Sequence, residues 1–208
     1  MKRLYLLRHG QTEFNVKKLV QGRCDSPLTD LGCQQARAAA AWLKAHGVVP
    51  DKVVSSPLGR AMDTAQLVAT ELLGADAAAE PCKGIIERCY GTFEEGPHDA
   101  LPTDVWDPGE DLVPFGGEGS RALQERMVDT LTNLMGAEGI ETLLAVSHGS
   151  ASRQFIKAAA PEGFELPAKL PNCAIMVFDF EEAKPQAEGE SHQCKFTLQQ
   201  IVDPQQSN

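Results

Sequence analysis

Residues 3–12 read RLYLLRHGQT, an apolar run from Leu4 to Leu7 that ends in Arg8, His9 and Gly10. A run of this kind reads as a buried strand. It delivers a guanidinium and an imidazole side by side at its carboxyl end, and the glycine gives the backbone room to turn there. Such an end suits an anion. The same grammar returns in TLLAVSHGS, where a strand over 142–147 is followed by His148, Gly149 and Ser150 entering a helix. Between the two lies SSPLGRAMDTA after the strand-like KVVSS. This spacing predicts a helix with Ser56 as its cap, Pro57 in the first turn and Arg60 one turn in, close to the positive helix end. In IIERCYG, Glu87 follows an apolar pair.

Working outward, strands are expected at 3–8, 52–55, 142–147, 173–180 and 194–202, with a short one near 78–83. Helices are expected at 29–46, 57–73, 118–136 and 149–159. TDLGCQQARAAAAWLKAHG reads as a helix capped at Thr29 and stopped at Gly47. Alternation of this kind implies an α/β three-layer sandwich, an open and mostly parallel sheet with helices on both faces. Its site would lie outside the carboxyl ends of the strands, where both histidines fall. The last two strands have only the polar stretch 182–192 between them and should pair as an edge hairpin, and the final PQQSN should fray. We expect one domain over 1–208, with the Pro-, Gly- and acid-rich segment 93–117 inserted as a cap over the pocket.

Composition narrows the function. The chain of 208 residues is 42% hydrophobic, enough for a sizeable core. Net charge is -10, unevenly spread: residues 1–92 carry 12 Lys and Arg against 9 acids, residues 93–208 carry 7 against 20. Without clustered Lys and Arg a nucleic-acid groove is not expected, nor is a membrane-seeking helix. The sequence shows neither an apolar stretch of membrane-spanning length nor a signal-peptide core, which points to the cytoplasm. The six cysteines have no CxxC and no zinc-ligand spacing, so they read as reduced thiols, with Cys89 the candidate for oxidation through its place near Glu87.

Several of these strings occur together in a known order. LLRHGQTEFN, QGRCDSPLTDLGCQQA, SSPLGRAMDTA, ERCYG, GGEG with Arg126 downstream, SHGSASR and the NCAIMVF strand make the chain resemble the histidine phosphatase superfamily, in its phosphoglycerate-mutase-like branch. The resemblance implies that Asn15, Gln21 and Gly22 line the phosphate or substrate entrance. Read as residues alone, Asn15 and Gln21 are equally turn residues of a polar loop.

The chemistry follows from the residue types. Phosphoryl transfer asks a protein for a nucleophile and for stabilisation of charge on the phosphoryl oxygens. A neutral imidazole is a competent nucleophile near neutral pH, and His9 can take that role. Arg8 and Arg60 would lower its proton affinity and clamp phosphate oxygens. His148 and the Gly149 amide would donate to another oxygen, and Glu87 would protonate the leaving alcohol. No acids or histidines have metal-ligand spacing, so no metal or other cofactor is expected. The expected partner is a small phosphorylated metabolite. Three functions compete: a metal-independent phosphomonoesterase, a cofactor-dependent phosphoglycerate mutase (which would use bisphosphoglycerate) or sugar bisphosphatase, and a binding module without turnover.

The cap bears on that choice. Residues 93–120 contain eight acids and no Lys or Arg, whereas mutase relatives draw basic residues from this insertion to hold a carboxylate and a second phosphate. Unless Arg121, Arg88 or Lys83 substitutes, that clamp is missing. An acidic rim over the pocket would repel a dianionic tail, so hydrolysis is expected rather than mutation. Gly116, Gly117, Glu118 and Gly119 stand where relatives commonly have GGES, and Glu94, Glu95 and Gly96 also depart from the usual pattern.

Overall fold

Six strands form one sheet in the order β3-β2-β4-β1-β5-β6, as seen in a computed structural model that describes residues 1–182 and 195–206. They are β1 (Lys2–Arg8), β2 (Lys52–Ser55), β3 (Glu80–Pro81), β4 (Thr142–Ser147), β5 (Ile175–Glu181) and β6 (Lys195–Val202). The helices are α1 (Glu13–Lys17), α2 (Asp30–Ala45), α3 (Gly59–Leu73), α4 (Ser120–Met135) and α5 (Gly149–Ala159). Pairings β1·β4, β2·β4 and β2·β3 are parallel, while β1·β5 and β5·β6 are antiparallel, so the sheet is mixed. The expected edge hairpin is present as the β5·β6 pair; most of the polar stretch expected to connect it, and Cys194, lie outside the described residues.

Side chains alternate across the sheet as strand geometry requires. Leu4 and Leu6 of β1, Leu143 and Ala145 of β4 and Met176 and Phe178 of β5 face one core, closed by Leu123, Met127 and Leu131 of α4 and Phe155 and Ile156 of α5. Tyr5, Leu7, Leu144, Val146 and Ile175 face the other, under α2 and α3. There Ala36, Ala39 and Ala40 meet Ala61, Ala65 and Ala69, small residues at helical spacing that let the two helices lie close. Central strands covered on both faces read as unbroken apolar runs, which is why β1 and β4 stand out in the sequence.

Three local expectations are corrected. Helix α3 starts at Gly59, two residues later than expected, and its cap is distant in sequence: Asp25 accepts from the Gly59 amide at 2.6 Å and the Arg60 amide at 3.3 Å. Ser56 lies ahead of this start, as described below. The chain end up to Gln206 is tied rather than frayed, because Gln205 accepts from Gln35 Nε2 at 2.9 Å and donates to the Asn172 carbonyl at 3.2 Å. Thr29 does cap α2, accepting from the Gly32 amide at 3.0 Å.

Register positions the site. Arg8 pairs with Ser147 across the parallel β1·β4 ladder, so His9 and His148, the next residues of each chain segment, emerge side by side. The turn after β1 then rests on the first turn of α2: a Cβ on Gly10 would meet the Gly32 carbonyl oxygen at 2.5 Å, a separation no side chain tolerates. Segment 93–117 folds through short 3-10 turns over its own small core of Val20, Tyr90, Leu101 and Leu112, with Phe93 and Val105 against it. Among the described residues no helix is long and apolar enough to cross a membrane.

Candidate active site

At the carboxyl edge of β1 and β4 a cavity of about 260 Å³ is lined by Arg8, His9, Arg60, Glu87, Gly149 and Ser150, with Asn15, Gln21, Gly22 and Asn172 along its side. His9 is 2% exposed and His148 is fully buried, with their ring centroids 5.2 Å apart. His148 is not on the cavity wall; it packs behind His9.

A hydrogen bond fixes the tautomer of His9. His9 Nδ1 lies 2.7 Å from the Gly10 carbonyl oxygen, which can only accept, so Nδ1 carries the proton and Nε2 keeps its lone pair. Burial, and then Arg60 and Arg8, hold the His9 imidazole well below its usual proton affinity, and hence neutral. His148 is held neutral in the same way, by burial first and then by Arg60, His9 and Arg8. Its Nε2 is 2.6 Å from Ser56 Oγ, which also accepts from the Leu58 amide at 3.4 Å, just before α3 begins.

The two guanidinium groups are held by main-chain carbonyls on one edge. Arg60 donates to the Gly22 and Cys24 carbonyls at 2.7 Å each, and Arg8 Nη1 donates to the Leu170 carbonyl. Burial brings Arg8 down to about 10, with Glu87 acting against that shift, so it stays a cation at neutral pH. Arg8 Nε, Arg60 Nε and His148 Nδ1 are buried with no hydrogen-bond partner among the described residues. Buried polar atoms of this kind cost about 1–3 kcal/mol each when unpaired.

Glu87 accepts three amides: Arg88 N at 2.8 Å and Ala151 N at 2.9 Å on Oε1, and Ser150 N at 3.2 Å on Oε2. It therefore caps α5 as well as lining the cavity, a double role that its place in the sequence does not announce. Gly149 sits beneath Trp106, where a Cβ would meet the indole Cζ3 at 2.8 Å. The same indole faces the Arg8 guanidinium, with Cζ 5.2 Å from its centroid, a cation–π contact.

Asn15 is at once turn residue and wall residue. It completes a capping box with Thr12 at the start of α1, and its Oδ1 also accepts from Asn172 Nδ2 at 3.2 Å. Gln21 accepts from Thr12 Oγ1 at 2.9 Å, and Gly22 reaches the site through a left-handed turn with φ 52°. Cys89 lies away from the cavity, its thiol donating to the Gly116 carbonyl at 3.6 Å.

The expected acidic rim is absent. From the insertion, His98, Val105 and Trp106 reach the cavity, and none of the eight acids does. Glu94 accepts from the Tyr90 and Arg23 amides, Asp107 pairs with Lys157 and Gln154, Asp104 accepts from the Trp106 amide, and Glu118 pairs with Arg126 and Arg23. The cations proposed as substitute clamps are elsewhere too. Arg88 is fully buried, tying Ser150, Glu118 and Ser120 together, and Arg121 pairs with Glu125 on the surface. Lys18 and Lys169, two residues that sequence reasoning did not single out, line the outer cavity instead. Residue charge was readable; the direction of each side chain was not.

Known proteins are similar to this chain along most of its length. The chain is 32% identical over 198 residues to the probable phosphoglycerate mutase GpmB of Proteus mirabilis, covering 91% of this chain and 90% of that one. It is 28% identical to a phosphoserine phosphatase from Entamoeba histolytica solved with 3-phosphoglyceric acid, with a TM-score of 0.71 and coverage of 97% and 96%. A phosphoglycerate mutase from Bacillus anthracis, at 21% identity, shares the fold with a TM-score of 0.76 over 98% of this chain and 94% of that one. With Arg8, His9, Arg60, Glu87 and His148 in these positions and a family match across residues 4–191, the chain belongs to the histidine phosphatase superfamily, branch 1.

Proposed function

We propose that the protein is a metal-independent phosphomonoesterase acting on a small phosphorylated metabolite through a phosphohistidine on His9. One observation carries the reading: Arg8 and Arg60, each with a buried Nε that has no partner among the described residues, line the cavity beside a neutral His9 whose Nδ1 holds the proton and whose Nε2 keeps its lone pair. A phosphoryl group supplies the acceptors those donors need and the electrophile that nitrogen needs.

In the first step Nε2 attacks phosphorus and the bond to the ester oxygen breaks, with Glu87 giving its proton to the leaving alkoxide. In the second, Glu87 takes a proton from water, the oxygen attacks phosphorus, and the bond to Nε2 breaks to release inorganic phosphate. Arg8 and Arg60 hold the transferring oxygens, and the Gly149 amide lies at the start of α5, where an anion is favoured. Asn15, Gln21 and Gly22 form the entrance. No metal or cofactor enters these steps. The five cysteines among the described residues are free thiols, which supports a reducing, cytoplasmic setting.

The curated relatives are named as probable mutases, which favours a second reading, phosphoryl transfer between positions of one substrate. Hydrolysis is preferred because the insertion brings His98, Val105 and Trp106 to the cavity but no Lys or Arg, so the basic clamp expected of a mutase from this segment is missing. Incubation with 3-phosphoglycerate and its bisphospho cofactor separates the two. Release of inorganic phosphate without isomerised product is expected; rapid isomerisation would contradict it.

A further inference from the structure

The Arg60 guanidinium takes its position from a loop. Nη1 and Nη2 are committed to the Cys24 and Gly22 carbonyls, so the phosphate clamp stands where residues 22–24 stand. Those residues lie between α1 and α2, outside every helix and strand. They are clasped to the start of the insertion by one side chain that the proposed chemistry does not use, Glu94. Its Oε1 accepts from the Arg23 amide at 3.1 Å and the Tyr90 amide at 2.9 Å, and its Oε2 accepts from the Cys24 thiol at 3.2 Å. Burial, and then Glu94, push that thiol up to about 12, so it keeps the proton it donates. Gly22 completes the clasp: a Cβ there would meet Glu94 Oε1 at 2.2 Å, and its φ of 52° suits glycine.

Place and charge can be separated. Burial lowers the proton affinity of Arg60, and Glu87, Asp25 and then Glu94 act against that shift. A guanidinium stays protonated at neutral pH without such help, so what Glu94 supplies is location. Glu94 does not line the cavity, so it touches no substrate. The insertion thus acts on the clamp through a carboxylate behind it.

We infer that Glu94 is a positioning residue for phosphoryl transfer: by clasping residues 22–24 it fixes the two carbonyls that aim Arg60 at the transferring oxygens. This rests on the phosphomonoesterase reading and adds to it a group outside the cavity wall. Two substitutions divide the possibilities. Glutamine keeps the reach, with a carbonyl for both amides and an NH₂ group toward the Cys24 sulfur. Aspartate keeps the charge but is one methylene shorter, and it withdraws from all three donors.

The test measures kcat/KM on p-nitrophenyl phosphate, whose good leaving group needs no proton from Glu87. Vanadate affinity, read calorimetrically, follows the same proteins without turnover. Glu94→Asp is expected to lower kcat/KM about tenfold to hundredfold, the scale of a clamp displaced by an ångström or less. Glu94→Gln stays within about threefold, because the contacts persist. In an Arg60→Ala background Glu94→Asp costs less than about twofold, since the group it positions is gone; a merely structural role would cost the same in both backgrounds. An unaffected Glu94→Asp, a Glu94→Gln as slow as Glu94→Asp, or equal losses with and without Arg60 overturns the inference. If Glu94→Asp does not fold, Gly22→Ala takes its place, driving a methyl group into Glu94 Oε1, with the same outcomes expected. Failure of the underlying reading looks different: the unmodified protein would release phosphate from no ester, and vanadate affinity alone would then rank the variants.

Discussion

Replacing Glu87 by glutamine separates the two tasks this side chain performs. The substitution keeps shape and removes the transferable proton. From the geometry, Oε1 can go on accepting from Arg88 N and Ala151 N at 2.8 and 2.9 Å, but the new amide nitrogen faces Ser150 N, which donated at 3.2 Å. One buried donor at the start of α5 loses its acceptor, costing about 1–3 kcal/mol. For a chain of this length that loss corresponds to a melting temperature lower by about 2–12 °C. Kinetically, loss of general-acid help should slow phosphoenzyme formation about 10²–10⁴-fold for alkyl esters, whose alkoxide leaves poorly. An aryl ester with a good leaving group should slow far less. Rapid-quench measurement of the first turnover on both esters reads this difference. Equal slowing would refute the acid role and leave Glu87 as a helix cap only.

Gly149→Ala pushes a methyl group to within 2.8 Å of Trp106 and 3.4 Å of Arg8 Nε. Weakening the contact between indole and guanidinium should raise KM about twofold to thirtyfold without lowering the melting temperature; an unchanged KM would remove Trp106 from the support of Arg8. His9 and His148 have lowered proton affinities in the fold, so the unfolded chain binds more protons below its histidine pKa of about 6.5. Stability should therefore be full above that pH and fall by up to about 2.7 kcal/mol per unit as pH drops through 6.5, read as a shift in urea midpoint; a flat midpoint between pH 7 and 5.5 would contradict the neutral assignments. Among the described residues no group of three or more His, Cys, Asp or Glu could hold a metal, so chelators should leave phosphate release unchanged, and inhibition restored by added metal would count against the proposed chemistry.

Much of this architecture is legible in the sequence because it depends on local pattern. Buried runs announce β1 and β4, and a histidine directly after each is brought to its partner by parallel register alone. Contacts distant in sequence are not legible in that way. The cap of α3 comes from Asp25, thirty-four residues before Gly59, while Ser56, a good cap by local grammar, lies against His148. The insertion teaches the same lesson about charge. Its acids are legible in the sequence, but the direction of Asp107 is set by Lys157, fifty residues farther along the chain. Lys18 carries one local clue, since it ends α1 in a left-handed conformation with φ 55°, but nothing near Lys169 marks it as a wall residue.

The central claim is that phosphoryl transfer passes through Nε2 of His9, and trapping that intermediate tests it most directly. Acid-free quenching after mixing with a phosphorus-labelled ester should yield protein carrying an acid-labile, base-stable label on the peptide containing His9, and His9→Ala should carry none. Persistence of that label in the His9→Ala protein, or its location on any other residue of the unmodified protein, would contradict the account.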